Sequence, residues 1–320
     1  VTLWDVATGV GVPLSGTGAT QTRFSRDGHR LVAANGGYVS VWDDRMPDEP
    51  DDDEQTLRST AWHLAESRAA EQRGAAFAVL HHLRMLPGEE LLNGELRTRR
   101  AVANAQLDNW TVAADEFEGL ARENIAPVSN SYHAAILRLR SGDEAAYRAL
   151  CQRMCAELGS PPNPDAVNSV AWAWCFAERD TAELERLCQQ LEEVLPKTQG
   201  REARLARLNT FGAVLYRLGR WQEAIDRLEE SIEGRGQGGV IEDWLFLAMA
   251  AQRTDRPEEA RRRLAQARAE IEKSNAVTKP AERRRLAAAW ERRVTVDMLF
   301  REARQLIERD GEPADAALKN

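Results

Sequence analysis

Gly212 and Ala224 are followed, 36 residues later in each case, by Ala248 and Ala260. Each small pair sits inside a 3.6-residue apolar rhythm, so each belongs to a pair of helices. Two helices cross closely only where the contact point carries almost no side chain. A duplicated close crossing at a fixed interval therefore specifies stacked helical hairpins, none of which can bury its apolar face alone. Gly219 supplies the break between the two helices of the first pair.

The unit "LNTFGAVLYRLGRWQEAIDRLEES" places Phe211-Gly212, Leu215, Gly219, Trp221, Ala224, Leu228 and Ser231 in the order large, small, large, turn, aromatic, small, large, small. "WLFLAMAAQRTDRPEEARRRLAQA" repeats it with Trp244, Leu247-Ala248, Ala251, Ala260, Leu264 and Ala267. This pattern resembles the tetratricopeptide repeat, whose usual period is about 34 residues. The surplus fits inside "EGRGQGGV". More degenerate units precede these. "RRAVANAQLDNWTVAADEFEGL" reads as one hairpin, "YHAAILRLRSGDEAAYRALCQRM" turns at Gly142-Asp143, and a further pair follows Pro161, Pro162 and Pro164. Trp62 to Leu86 reads as the first pair, and Ala281 to Glu308, with Trp290, Val294, Leu299 and Leu306, as a closing pair or cap.

Gly234-x-Gly236-x-x-Gly239 has the spacing of a phosphate-binding loop. Such a loop follows a strand and opens a helix. Here the glycines follow a helical stretch and coincide with the handover between repeats, so they read as a linker, with nucleotide contact as the alternative. No Lys-Ser/Thr completes a Walker loop, and no HRD or DFG tripeptide occurs in the chain.

The first 43 residues are written differently. "VTLWD", "TQTRF", "HRLVAA" and "GYVSVWD" alternate like strands, with turns at "VATG" and Asp27-Gly28. Trp4-Asp5 and Trp42-Asp43 lie 38 residues apart, and recurrence near 40 closing on Trp-Asp resembles a WD40 propeller blade. The blade's His is missing near Gly16-Thr17, and Gly36-Gly37 replaces its turn Asp. A propeller closes only with four or more blades, and the chain starts at Val1, so earlier blades are expected upstream. "DDRMPDEPDDDE" follows, carrying seven of the eight net negative charges. The expected organisation is a partial blade at 1–43, an acidic flexible linker at 44–56, helical repeats with capping helices at 57–309, and a disordered tail at 310–320. The fold class is mostly α, a solenoid of helical hairpins behind a short β segment.

Taken together, "TAWHLAESRAAEQRG", "GDEAAYRALCQRM", "NSVAWAWC" and the two clear repeats resemble the C-terminal region of large bacterial WD40–tetratricopeptide proteins. Many of these carry a Ser/Thr protein kinase domain at the front. The resemblance implies a cytoplasmic, non-catalytic signalling scaffold, or alternatively the recruiting tail of such a kinase. No catalytic, metal or cofactor residue is carried over. Net acidity argues against nucleic-acid binding, and no apolar run is long enough for a membrane span. Cys151, Cys155, Cys175 and Cys188 read as small, buried, reduced side chains, and His63, His81, His82 and His133 as packing or surface residues. At most one of Trp172 and Trp174, two apart on a helix, can face the core. In tetratricopeptide proteins the first helix of each pair lines the binding groove. Projected here, that places Asn209, Tyr216, Arg217, Met249, Gln252 and Arg253 in the groove, a set suited to an acidic extended or helical peptide.

Overall fold

The computed structural model describes residues 2–5, 10–13, 21–25, 30–35, 38–43, 53–88, 93–159, 163–177, 181–236, 238–277, 279, 282, 285, 286 and 288–309. The turns at Asp27-Gly28 and Gly36-Gly37, Pro161-Pro162, the 310–320 tail and the acidic run over 44–52 lie outside them. The chain divides into two compact units, Val1–Asp108 and Asn109–Asn320.

In the first unit, β1 (Thr2–Asp5) pairs antiparallel with β2 (Val10–Pro13), and β3 (Gln21–Phe24), β4 (Arg30–Asn35) and β5 (Tyr38–Asp43) form an antiparallel meander. Its register sets Phe24 opposite Leu31 and Leu31 opposite Trp42. The strands expected from alternation are present; β2 was hidden because "VGVP" offers Pro and Gly instead of an alternating run. Three helices follow: α1 (Asp53–Arg73), α2 (Ala76–Arg84) and α3 (Gly94–Gln106). The first helix thus begins inside the expected linker, at Asp53. Ala70, Val79, Leu80, Leu83, Leu86 and Leu96 make the core. Asn93 caps α3, its side chain accepting from Leu96 N at 3.0 Å.

His63 Nδ1 of α1 faces His82 Nδ1 of α2 at 3.0 Å, and the His81 and His82 rings are 5.2 Å apart. Both of the latter lie in the last turn of α2. Burial, then the neighbouring His81 and His63, lowers His82 to about 4, and burial lowers His63 as well. The unfolded chain takes up protons near pH 6.5, where the folded pair resists them. This pair's contribution is therefore complete above pH 6.5 and is lost as pH falls toward 4. His63 is buried and His82 is half-buried, so solvent screening at His82 reduces the expected loss to about 1 kcal/mol. It should appear as a falling urea midpoint between pH 7 and 4.5 that His82→Gln flattens; an unchanged slope in that variant would remove the pair as its source.

The second unit contains α4 (Trp110–Arg122), α5 (Pro127–Arg140), α6 (Glu144–Ala156), α7 (Pro164–Ala173), α8 (Thr181–Val194), α9 (Arg201–Arg217), α10 (Trp221–Arg235), α11 (Ile241–Arg253), α12 (Pro257–Asn275) and α13 (Trp290–Arg309). Consecutive helices pack as hairpins, α5 with α6, α7 with α8, α9 with α10 and α11 with α12, while α5, α7, α9 and α11 lie side by side in that order. The starts are local chemistry. Pro127, Pro164 and Pro257 occupy first-turn positions, where the missing N–H costs nothing. Asn163 accepts from Asp165 N at 2.8 Å, and Asp143 from Ala146 N at 3.0 Å. Gly219 takes φ +76° at the α9–α10 turn.

The α9–α10 crossing bears out the small-residue argument. A Cβ on Gly212 would stand 2.6 Å from Leu228 Cγ and 3.2 Å from the Ala224 carbonyl oxygen. One expected hairpin is divided differently. The boundary between units falls at Asp108, inside "ANAQLDNWTVAA": α3 packs on α2 in the first unit, and α4 packs on α5 in the second.

Candidate partner-binding groove

Gly234 lies in the last turn of α10, and Gly236 and Gly239 lie between α10 and α11. Gly236 ends α10 in the left-handed conformation, φ +68°, and α11 begins at Ile241, where Asp243 Oδ2 accepts from Val240 N at 3.1 Å. Arg201 Nε donates to Gly234 O at 2.9 Å, and Trp244 Nε1 donates to Gly238 O. This is repeat-to-repeat wiring: the segment before the glycines is a helix, which is the arrangement the linker reading required.

The four cysteines are buried and form no disulfide with one another. Burial pushes the Cys155 and Cys188 thiols up to about 11, and that of Cys151 higher still. Thiols held protonated in this way are packing groups, since nucleophilic and metal-binding chemistry needs the thiolate. Trp174 is buried and donates to Cys155 Sγ at 3.0 Å, whereas Trp172 is half-buried against Phe176 and Phe246. Among the described residues, no group of three or more His, Cys, Asp or Glu is placed to hold a metal ion, and no helix is long and apolar enough to cross a membrane.

The six projected residues all lie on α9 and α11, but their environments differ sharply. Asn209 is buried and donates to Asp243 Oδ1 at 2.7 Å, tying α9 to α11. Met249 is fully buried in the core. Tyr216 is buried with its ring 5.7 Å from that of Phe246. Gln252 is half-buried and Arg253 is exposed; Arg253 lies at the Tyr216 hydroxyl. Asn209 and Met249 are thus packing residues in this conformation. A helix that touches neighbours on two sides turns more than one face inward, and the projection assumed only one.

Arg217 is the informative member. Its Nε donates to Cys175 O at 2.7 Å, and its two terminal nitrogens grip both oxygens of Glu302 on α13, one of them at 2.6 Å. Burial opposes its charge, and the paired carboxylate more than offsets this and keeps it charged. The Arg217 side chain is only 7% exposed, so the base expected to meet a partner meets an acid of its own chain.

That contact is one of a series. The last helix was expected to close or cap the stack. Instead α13 packs on α11 and α12 and also reaches α5 and the 3-10 turn Trp174–Phe176 that follows α7. Trp290 stacks on Phe117 of α4, with centroids 5.8 Å apart and planes at 16°. Glu291 meets His133 Nε2 of α5 at 3.1 Å, Asp297 meets Arg140 of α5 at 3.2 Å, and Glu308 pairs with Arg268 of α12. One pair runs the other way, Arg292 with Glu242 of α11 at 2.7 and 2.8 Å. Burial opposes ionisation of Glu291, yet its bond to His133 and that ring's charge hold its carboxyl below the usual range. Along α13, Trp290, Val294, Leu299, Ala303 and Ile307 are buried, and Leu306 is only half-buried. The stripe is therefore broad enough for a helix enclosed by several neighbours, which a cap would not need.

Comparison with known proteins adds little. The chain matches no protein-family model and no curated protein. The crystal structure of yeast Tom70 is similar at 16% identity and a TM-score of 0.36, over 83% of this chain and 48% of that one, so the chain spans about half that structure's length. A likeness at this level carries no argument about family or function; the hairpin architecture rests on the packing described above.

Proposed function

We propose that this chain is a non-catalytic protein-interaction scaffold, and that the face formed by α5, α7, α9 and α11 is where a protein segment docks. The observation that supports this reading most is that the face already holds a helix, α13, through contacts with His133 and Arg140 of α5 and Arg217 of α9, while Trp290 stacks on Phe117 of the neighbouring α4. Helix-in-groove recognition needs the same elements, an apolar seam with flanking charges that set register. Arg253 is the projected residue that stays exposed. Arg253→Glu should weaken an identified partner about tenfold by surface-plasmon resonance; unchanged affinity for both Arg253→Glu and Arg217→Glu would reject the groove as the docking site.

The wider setting follows from the resemblance described above. Trp4-Asp5 closes β1 and Trp42-Asp43 closes β5, which supports reading the strands as the end of a WD40 propeller in a longer cytoplasmic signalling protein. In that setting the helical unit would recruit substrates or regulators for an upstream kinase domain.

A further inference from the structure

Four acids of α13, Glu291, Asp297, Glu302 and Glu308, each meet a base of the surrounding helices. Those bases, His133, Arg140, Arg217 and Arg268, come from α5, α9 and α12, which are well separated in sequence. A helix that merely capped the stack would cover the apolar end of α11 and α12 and leave α5 alone. Among the described ion pairs the polarity is also one-sided: the surrounding helices contribute Arg140, Arg217 and Arg268 and α13 the carboxylates, while Arg292–Glu242 runs the other way. Beside α13 runs an open cleft of about 400 Å³, lined among others by Trp110, Arg140, Ile241, Arg293 and Phe300. The cleft runs along α13 past Arg140 of α5 and Ile241 of α11, so a second segment has a way in along the helix already there.

We infer that α13 is a tethered pseudo-ligand, and that the groove's exchangeable occupant is an acidic amphipathic helix of a protein partner. This rests on the scaffold reading and gives it a partner chemistry: an aromatic anchor for the Phe117–His133 corner, and carboxylates five residues apart, as Asp297 and Glu302 are, to meet Arg140 and Arg217. Residues 276–289 join α13 to α12, so α13 competes intramolecularly, at the millimolar effective concentration of a short connection. The chain as described is the self-occupied form. A partner helix binds only as α13 leaves, and its apparent affinity is reduced by the small fraction of open molecules.

The test uses the full chain and a fluorescein-labelled synthetic peptide copying Ala288–Arg309. Fluorescence anisotropy should show weak uptake by the parent. Uptake should be at least tenfold tighter for Glu302→Lys, which sets like charges against each other at Arg217, and for Trp290→Ala, which removes the stack on Phe117. A peptide with Gln at the four acid positions should bind the released chain at least tenfold more weakly than the acidic one. Far-UV circular dichroism reports whether each variant folds, and Glu302→Gln, the gentlest change, stands in where another does not. Equal peptide binding by parent and folded variants would overturn the pseudo-ligand and leave the scaffold reading standing. Peptide binding by none of them, while hydrogen exchange shows α13 released in Glu302→Lys, would sink both. Equal binding of the acidic and Gln peptides would overturn the assigned partner chemistry.

Discussion

Gly212→Leu is expected to destabilise the second unit by about 3 kcal/mol or more, the upper end of what overpacking a close contact costs. The first added carbon would already sit 2.6 Å from Leu228 Cγ and 3.2 Å from a main-chain oxygen of α10. A carbonyl inside a helix cannot turn aside, and the rest of a leucine has to be placed beyond it. The helices must separate, and Leu215, Ala224 and Leu228, all buried at or near this crossing, lose their packing. At roughly 2–4 °C per kcal/mol for a domain of this size, the melting temperature should fall by about 6–12 °C. Gly234→Ala is the useful contrast. Its Cβ would meet Leu205 Cδ2, the far end of a flexible side chain, so the neighbour can rotate and the cost should be smaller. Parent-like melting of Gly212→Leu would mean that α9 and α10 do not cross there.

Arg217→Met should cost about 2–3 kcal/mol. Removing one partner of a buried ion pair typically costs 3–5 kcal/mol, because the other charge is stranded. Here Glu302 keeps 35% of its side chain in solvent, so part of that penalty is relieved by water. The change also leaves the Cys175 carbonyl without its donor from Arg217. Methionine keeps the apolar stem over Tyr216 and Phe246, whose rings lie 5.3 and 5.7 Å from the guanidinium carbon, so the loss isolates the charge. Chemical denaturation of Arg217→Met, Glu302→Gln and the double variant closes a thermodynamic cycle. The double variant should be more stable than Arg217→Met, since no carboxylate is then left unpaired. Strict additivity of the two single changes would mean that the residues do not interact and that α13 is held by its apolar stripe alone.

Much of the architecture was legible because it is written in local chemistry. Gly212, Ala224, Ala248 and Ala260 announce the crossings, Pro127, Pro164 and Pro257 the helix starts, and the alternating runs before Asp43 the strands. The candidate site was legible only in part. Helical projection selected Arg217 on α9 and Arg253 on α11, and with them Asn209 and Met249, which serve the α9–α11 contact and the core. It gave no sign of His133, Arg140 or Phe117, because their relevance depends on a helix more than 150 residues further along the chain. Trp290 and Val294 showed that the last helix had something to bury, without saying against what.

By itself, then, the amino-acid order determined the helical hairpins and their close crossings, since small residues, turns and caps act within a few positions of one another. Only the tertiary structure decided that α13 packs on α5, α11 and α12 and pairs with Arg140, Arg217 and Arg268. Ion pairs and aromatic stacking are non-local: nothing about Glu302 in its own helix says whether it faces water or Arg217 until the chain has brought the two together.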